Sequence, residues 1–219
     1  RPSVIRLRVQ ASRTESAVEK ERYLSKAYRI FRWLYPPGGH VFELAELASG
    51  LRLKVNLCER EGRRLYFGEE YEPYEMALVG KLVNPGAVFF DIGAHVGLYS
   101  LTASRLVGPT GMVHAFEPAL RTYDVLTTNL YLNGAANVVT NRIAINDQSG
   151  EVDLLVNRES GLTSLGATGR GQIIDVEKVA SVSLDQYTAT AGIAELDFLK
   201  IDVEGYEGHV LRGARGVIE

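Results

Sequence analysis

Apolar residues along this chain fall into two kinds of run, and the alternation between them predicts its architecture. Ala87-Val88-Phe89-Phe90 is short, wholly apolar and followed by Asp91, the pattern of a strand buried on both faces of a parallel sheet. A helix is predicted over Gly97 to Val107, a strand over Gly111 to Phe116, and a helix over Ala119 to Leu132 that Asn133-Gly134 stops. Val138 to Ile145 reads as a third strand, and Glu151 to Val156 and Ala180 to Leu184 as weaker ones. Leu196 to Val203 is a strong strand candidate again, and a helix from about Gly205 to Ala214 follows it. Strands and helices alternating at this spacing predict an α/β fold, with a mostly parallel sheet and helices on both faces. The glycine-rich run from Gly161 to Gly171 reads as a mobile loop.

Ahead of this region the pattern is different. Leu51, Leu53, Val55 and Leu57 alternate with polar residues, as in a half-buried strand, and Glu59 to Arg63 predicts a turn into a partner strand carrying Leu65 and Phe67. Pro73 opens a helix through Leu82, which Asn84-Pro85-Gly86 ends. Val18, Tyr23, Leu24, Ala27, Tyr28, Phe31 and Leu34 recur at helical spacing, and Pro36-Pro37-Gly38-Gly39 stops that helix. Nine Lys/Arg against three Glu make Arg1 to Leu34 locally basic. A solvated helix packed on the main domain is favoured over one that touches an acidic partner or a membrane surface. Residues 1–66 are thus expected to form an N-terminal extension of helix and hairpin, and 67–219 the main domain.

Composition narrows the partners. A net charge of -3 gives no overall reason to expect nucleic acid. Cys58 is the single cysteine, so neither an internal disulfide nor a cysteine-rich zinc site can form. No run approaches the roughly eighteen apolar residues of a membrane span, and the N-terminus lacks the order of a signal peptide, so a cytoplasmic location is expected. His40, His114 and His209 have no ligand-like spacing and are expected to be surface or packing residues.

The chemistry lies at strand ends. The strand closing on Asp91 runs into Gly93-Ala94-His95-Val96-Gly97, a glycine-containing turn that opens a helix. Glycines there let a ligand approach the backbone at the carboxyl end of the sheet. Asp91 would repel a pyrophosphate, which needs helix N-terminal amides and positive charge, and it suits a ligand bearing a cationic amino group and a sulfonium. The charge therefore favours S-adenosylmethionine over a dinucleotide. Glu117 ends the second strand, where a carboxylate can hold a ribose by its two hydroxyls. Leu199 to Glu204 ends a further strand in carboxylates. Asp202 is expected nearest the reacting methyl group, orienting or deprotonating an acceptor hydroxyl, with Glu204 supporting it or helping to bind substrate. The plainer role for Asp202 is a helix N-cap, and for Glu207 a first-turn helix position. Asp202 and Glu204 are hard oxygen donors, but no metal-ligand set is complete and no metal is expected.

Taken together, Asp91 to Gly97, Phe116-Glu117-Pro118, Asn129, Asn133-Gly134 and Leu199 to Glu207, with Tyr71-Glu72-Pro73 ahead of them, resemble the signature blocks of FkbM-type methyltransferases. The resemblance implies a Rossmann-like class I methyltransferase fold and S-adenosylmethionine as cofactor. It also implies methylation of a hydroxyl on a sugar or natural product, a small-molecule or glycan acceptor. It implies that Gly93 and Gly97 shape the cofactor turn, that Glu117, followed by Pro118, binds ribose, and that Ala144 with nearby Asp147 lies near the adenine. His95 stands where the family commonly has Asn, so hydrogen bonding at the turn is expected to differ. The family continues past the position of Glu219 into further strands, and a sheet ending at the strand of Asp202 would expose a central edge. A longer native protein is therefore expected, with sequence after Glu219 and also ahead of Arg1. Two other readings stay open. One is an NAD-dependent oxidoreductase, against which Asp91 and the missing third glycine of G-x-G-x-x-G both count. The other is a non-catalytic binding module that keeps the fold.

Overall fold

A computed structural model of the chain describes residues 33–36, 38–166 and 169–219. Of the helix predicted over Val18 to Leu34, only Trp33 and Leu34 fall among these; both are helical and exposed, and the rest lies outside the described residues. Strands β1 (Phe42–Glu46) and β2 (Arg52–Asn56) form an antiparallel hairpin with Glu46 opposite Arg52 and Phe42 opposite Asn56. This corrects the expectation for the region: β2 pairs with the segment before it, and Arg60–Tyr66, where the partner strand was expected to begin, is helix α1. Gly62 explains why. A Cβ there would lie 2.1 Å from the Asn56 carbonyl oxygen, so the glycine lets a helix cross the end of β2 instead of marking a turn.

Helix α2 (Pro73–Leu82) then leads into strand β3 (Val88–Ile92), helix α3 (Leu98–Val107), strand β4 (Met112–Phe116), helix α4 (Leu120–Leu132) and strand β5 (Val138–Asn141). The expected third strand does not run on to Ile145. Ala144–Ile145 is a separate strand, β6, which leaves the central sheet and pairs in parallel with a different strand, with Ala144 opposite Ser181. That partner is β8 (Ile173–Val182), longer than its apolar pattern suggests because its first half is solvent-exposed, and it pairs antiparallel with β7 (Gly150–Asn157). Leu184, expected to end a strand, begins helix α5 (Leu184–Ala191), whose first turn is capped by the Ser183 hydroxyl accepting from the Gln186 N–H at 3.2 Å. Strand β9 (Phe198–Ile201) and helices α6 (Glu207–Arg212) and α7 (Arg215–Ile218) complete the chain.

The central sheet has the order β5-β4-β3-β9, with all four strands parallel. Side chains alternate across it as strand geometry demands. Phe89 and Val113 pack with Tyr99, Ala103 and Val107 of α3 and Val79 of α2 on one face. Phe90, Ile92 and Phe116 pack with Leu184 of α5, Val210 of α6 and Ala214 on the other. Helices thus cover both faces, as expected. Residues 42–66 share a core with this layer: Ala45, Leu53, Val55 and Leu65 join Ala94, Leu101, Leu126 and Leu130 in one buried cluster.

The attachment of the hairpin is polar as well as apolar. Asn129, 0% exposed, accepts from the Lys54 N–H at 2.6 Å and donates to the Lys54 carbonyl at 3.2 Å. One turn further on, Asn133 accepts from the Arg52 N–H at 3.0 Å and donates to the Arg52 carbonyl at 2.7 Å. Two amides, one on α4 and one at the residue that caps it, therefore meet alternate residues of β2 in the way a neighbouring strand would. Asn129 also donates to the Val96 carbonyl at 2.8 Å, which joins the hairpin to the turn after β3. Asn129→Ala leaves three half-buried backbone groups without their partner and should cost about 2–4 kcal/mol, whereas Asn133→Ala, at a more exposed site, should cost about 1 kcal/mol. Urea unfolding of both variants checks the contrast; equal losses would contradict it.

Candidate active site

The carboxyl ends of β4, β3 and β9 meet at one rim. The N–H groups of Gly93 and Ala94 donate to the Phe116 carbonyl at 3.0 and 2.9 Å, and the Asp202 N–H donates to the Ile92 carbonyl at 3.0 Å. At Gly93 (φ +78°) a Cβ would stand 1.9 Å from the Asp202 carbonyl oxygen, so glycine is required where the chain leaving β9 crosses the turn. At Gly97 (φ +90°) a Cβ would reach within 2.6 Å of Leu126 Cδ1, so this glycine brings α4 against the start of α3. Both glycines make room for the protein's own chain, a more specific reason than close approach by a ligand.

Beneath this turn lies Asp91, 0% exposed. Its Oδ2 accepts from the Ser100 hydroxyl at 2.6 Å, and the Lys200 ammonium stands 3.0 Å from its Oδ1. Lys200 is directly opposite Asp91 in the β3–β9 register. Its ammonium donates to the Gly93 carbonyl at 2.9 Å, lies 5.0 Å from the centre of the Tyr99 ring and is 3.9 Å from Asp202 Oδ2. Sequence reasoning missed Lys200, which sits inside an apolar strand where its charge has no visible partner.

Glu117 is buried at the tip of β4. Its Oε2 accepts from the His95 N–H and its Oε1 from the Ala119 N–H, both at 3.0 Å. Burial pushes its carboxyl up to about 7, against the pull of these two amides. His95 has φ +50°, a left-handed conformation that Asn and His adopt more readily than most residues. Its Nε2 lies 2.7 Å from the Ser160 hydroxyl, which donates to Glu59 Oε2 at 2.7 Å. That hydroxyl must therefore accept from Nε2–H, leaving Nδ1 as the acceptor nitrogen. Burial holds the His95 imidazole below its ordinary value, in the neutral form. These contacts tie the start of α1, the loop after β7 and the turn after β3 together, and no local pattern of residues marks Glu59 or Ser160.

These groups open onto a cleft of about 680 Å³. Gly93, His95, Glu117, Pro118, Ala144, Asp202 and Glu204 line it, together with Lys200, Glu59 and residues 160–165 of the loop expected to be mobile. Asp91 and Gly97 lie behind its wall rather than on it. Asp147 also stands apart: its Oδ2 is 2.9 Å from His209 Nδ1 and accepts from Arg212 Nε at 3.0 Å. Asp202 is 54% exposed at the mouth. Glu204 pairs with Arg170 at 2.9 Å. Glu207 accepts from the N–H groups of Val203 and Gly205 at 3.3 and 3.0 Å, so it closes the turn into α6, the structural role expected of it. His114 packs against Tyr187, 2.8 Å from its hydroxyl, and His40 lies 2.7 Å from Arg121. Among the described residues no group of three or more His, Cys, Asp or Glu is placed to hold a metal, and no helix is long and apolar enough to cross a membrane.

Comparison with known proteins agrees with this geometry. A family model for the methyltransferase FkbM domain matches residues 91–219, from Asp91 through the β9 block. The chain is 32% identical over 162 residues to 31-O-demethyl-FK506 methyltransferase FkbM of Streptomyces tacrolimicus, covering 61% of this chain and 62% of that protein. It is 30% identical over 197 residues to methyltransferase sdnD of Sordaria araneosa, covering 77% and 75%. It is 24% identical over 132 residues to hexuronic acid methyltransferase AglP of Haloferax volcanii, covering 60% and 52%. The chain thus spans less than two thirds of the length of the first and third of these relatives.

Gly93→Ala should destabilise the fold by about 2 kcal/mol or more, because both its φ and the Asp202 carbonyl forbid a Cβ. Gly80→Ala, inside α2 where a Cβ meets nothing within 4 Å, should stabilise it by about 0.5–1 kcal/mol. Thermal unfolding of the two variants gives opposite shifts; a neutral Gly93→Ala would refute the crossing of β9 over the turn.

Proposed function

The chain belongs to the FkbM methyltransferase domain family, and we propose that it is an S-adenosylmethionine-dependent O-methyltransferase acting on a hydroxyl of a small sugar or natural product. One observation carries the reading. Each oxygen of the buried Glu117 carboxylate accepts one backbone N–H and keeps a lone-pair site toward the cleft, which matches the two hydroxyls of a ribose. The turn also disfavours a dinucleotide. The amides of Gly93, Ala94, His95 and Gly97 are all spent on acceptors within the protein, so they offer no cradle to a pyrophosphate. This replaces a repulsive Asp91 as the reason, since Lys200 already stands against that charge. The relatives' names support the acceptor class, one naming 31-O-demethyl-FK506 and another hexuronic acid.

Bound S-adenosylmethionine supplies a sulfonium methyl group as the electrophile. Glu117 holds the ribose, with Pro118 beside it, and Ala144 with Ile145 forms the apolar wall for the adenine. Asp147 does not touch that ligand in this reading; it braces the chain after β6 through His209 and Arg212. At the mouth, Asp202 would accept the proton of the acceptor hydroxyl, whose oxygen would take the methyl group that bound S-adenosylmethionine supplies, leaving S-adenosylhomocysteine. Glu204, held by Arg170, orients the acceptor, and the methyl transfer relies otherwise on positioning within the cleft.

Asp202→Asn should lower kcat by about 100-fold and weaken S-adenosylhomocysteine binding by much less, about tenfold at most; an unchanged kcat would remove Asp202 from the reaction. Glu117 gives a pH test. Ribose hydroxyls donate to the ionised carboxylate, so affinity should be about tenfold weaker at pH 6 than at pH 8, and Glu117→Gln should flatten the profile. The free protein should respond in the opposite sense. With its folded value raised from 4.5 to about 7, Glu117 contributes stability below the unfolded value that is lost as pH rises through about 7. Calorimetric titration at both pH values, with thermal unfolding of the free protein, checks the two signs.

A further inference from the structure

Charge inside a protein has to be matched, and the floor of the cleft shows an incomplete match. Asp91, 0% exposed, receives a hydrogen bond from Ser100 on one oxygen. Its other oxygen has the Lys200 ammonium 3.0 Å away, but at an angle that makes no directed hydrogen bond. The hydrogen bond that Lys200 does make is to the Gly93 carbonyl, and Asp202 Oδ2, at 3.9 Å, is beyond hydrogen-bond reach. An ammonium has three donors, so this one lines the cleft with donors to spare. It stands between two acceptors, the Gly93 carbonyl and the Asp202 carboxylate, both on the cleft wall.

We infer that Lys200 anchors the carboxylate of the cofactor's amino-acid end, an inference that rests on the methyltransferase reading. A zwitterion fits this arrangement. Its carboxylate takes the free donors of Lys200, and its ammonium finds the Gly93 carbonyl and the Asp202 carboxylate on either side. No net charge is added, so the Asp91–Lys200 pair keeps its balance. Asp91, which the sequence suggests as the partner of the cofactor's amino group, lies behind the wall; it is a positioning residue that fixes where the Lys200 ammonium stands.

Three ligands that differ only at this end test the assignment by calorimetry. S-adenosylhomocysteine carries both charges, S-adenosyl-3-thiopropylamine lacks the carboxylate, and 5′-methylthioadenosine lacks the whole amino-acid end. They are titrated into the wild type, Lys200→Met, and Lys200→Met/Asp91→Asn, the last leaving no buried carboxylate without a partner. The wild type should bind S-adenosylhomocysteine about tenfold more tightly than the amine, the increment expected of a charged hydrogen bond. Both variants should lose that increment and bind 5′-methylthioadenosine as the wild type does. A double variant that keeps the tenfold gap overturns the inference, and so does one that weakens all three ligands alike, which would make Lys200 only a support of the turn. A wild type that binds none of the three removes the methyltransferase reading itself, and the inference with it.

Discussion

The open end of the sheet depends on one close crossing. β3 lies between β4 and β9, and the chain leaving β9 passes over the turn after β3 so tightly that no side chain fits at Gly93. This crossing puts Glu117, the turn and Asp202 around a single rim, because parallel strands in register end at the same level. It also explains Lys200. A buried Asp91 on β3 needs a nearby cation, and the residue directly opposite it in register on β9 supplies one.

Around this rim the walls come from distant parts of the chain. The hairpin β1–β2 is held by Asn129 of α4 and by Asn133, which caps that helix, and through Asn129 the same contact reaches the Val96 carbonyl in the turn. Glu59, at the start of α1, reaches His95 by way of Ser160 in the loop after β7. N-terminal region, sheet and loop are thereby bound to one turn. Ser160 ties the start of the loop after β7 to that turn.

Much of this was legible in the residues. The parallel strands showed themselves because a strand buried on both faces has nothing but apolar side chains, as in Ala87 to Phe90. Asp91, Glu117 and Asp202 stood out because polar residues at the ends of such runs lie at the open end of the sheet. The β1–β2 pairing did not, since an alternating strand can join a partner on either side, and Gly62 looked like a turn residue until the Asn56 carbonyl showed what it makes room for. The first half of β8 was hidden by its exposure, and the split between β5 and β6 by the apolar residues that resume at Ile143 after the polar Thr140-Asn141-Arg142. The links from His95 to Ser160 and from Ser160 to Glu59 span 65 and 101 residues, and no local pattern carries contacts of that separation.

The central claim is that this rim receives an adenosyl ligand with an amino-acid end and not a dinucleotide. Calorimetric titration of the protein with S-adenosylmethionine and, separately, with NAD tests it most directly. The account predicts saturable one-to-one binding of S-adenosylmethionine and none of NAD. Binding of NAD in preference would contradict it, because the amides of Gly93, Ala94, His95 and Gly97 are already spent on acceptors within the protein and could not cradle a pyrophosphate.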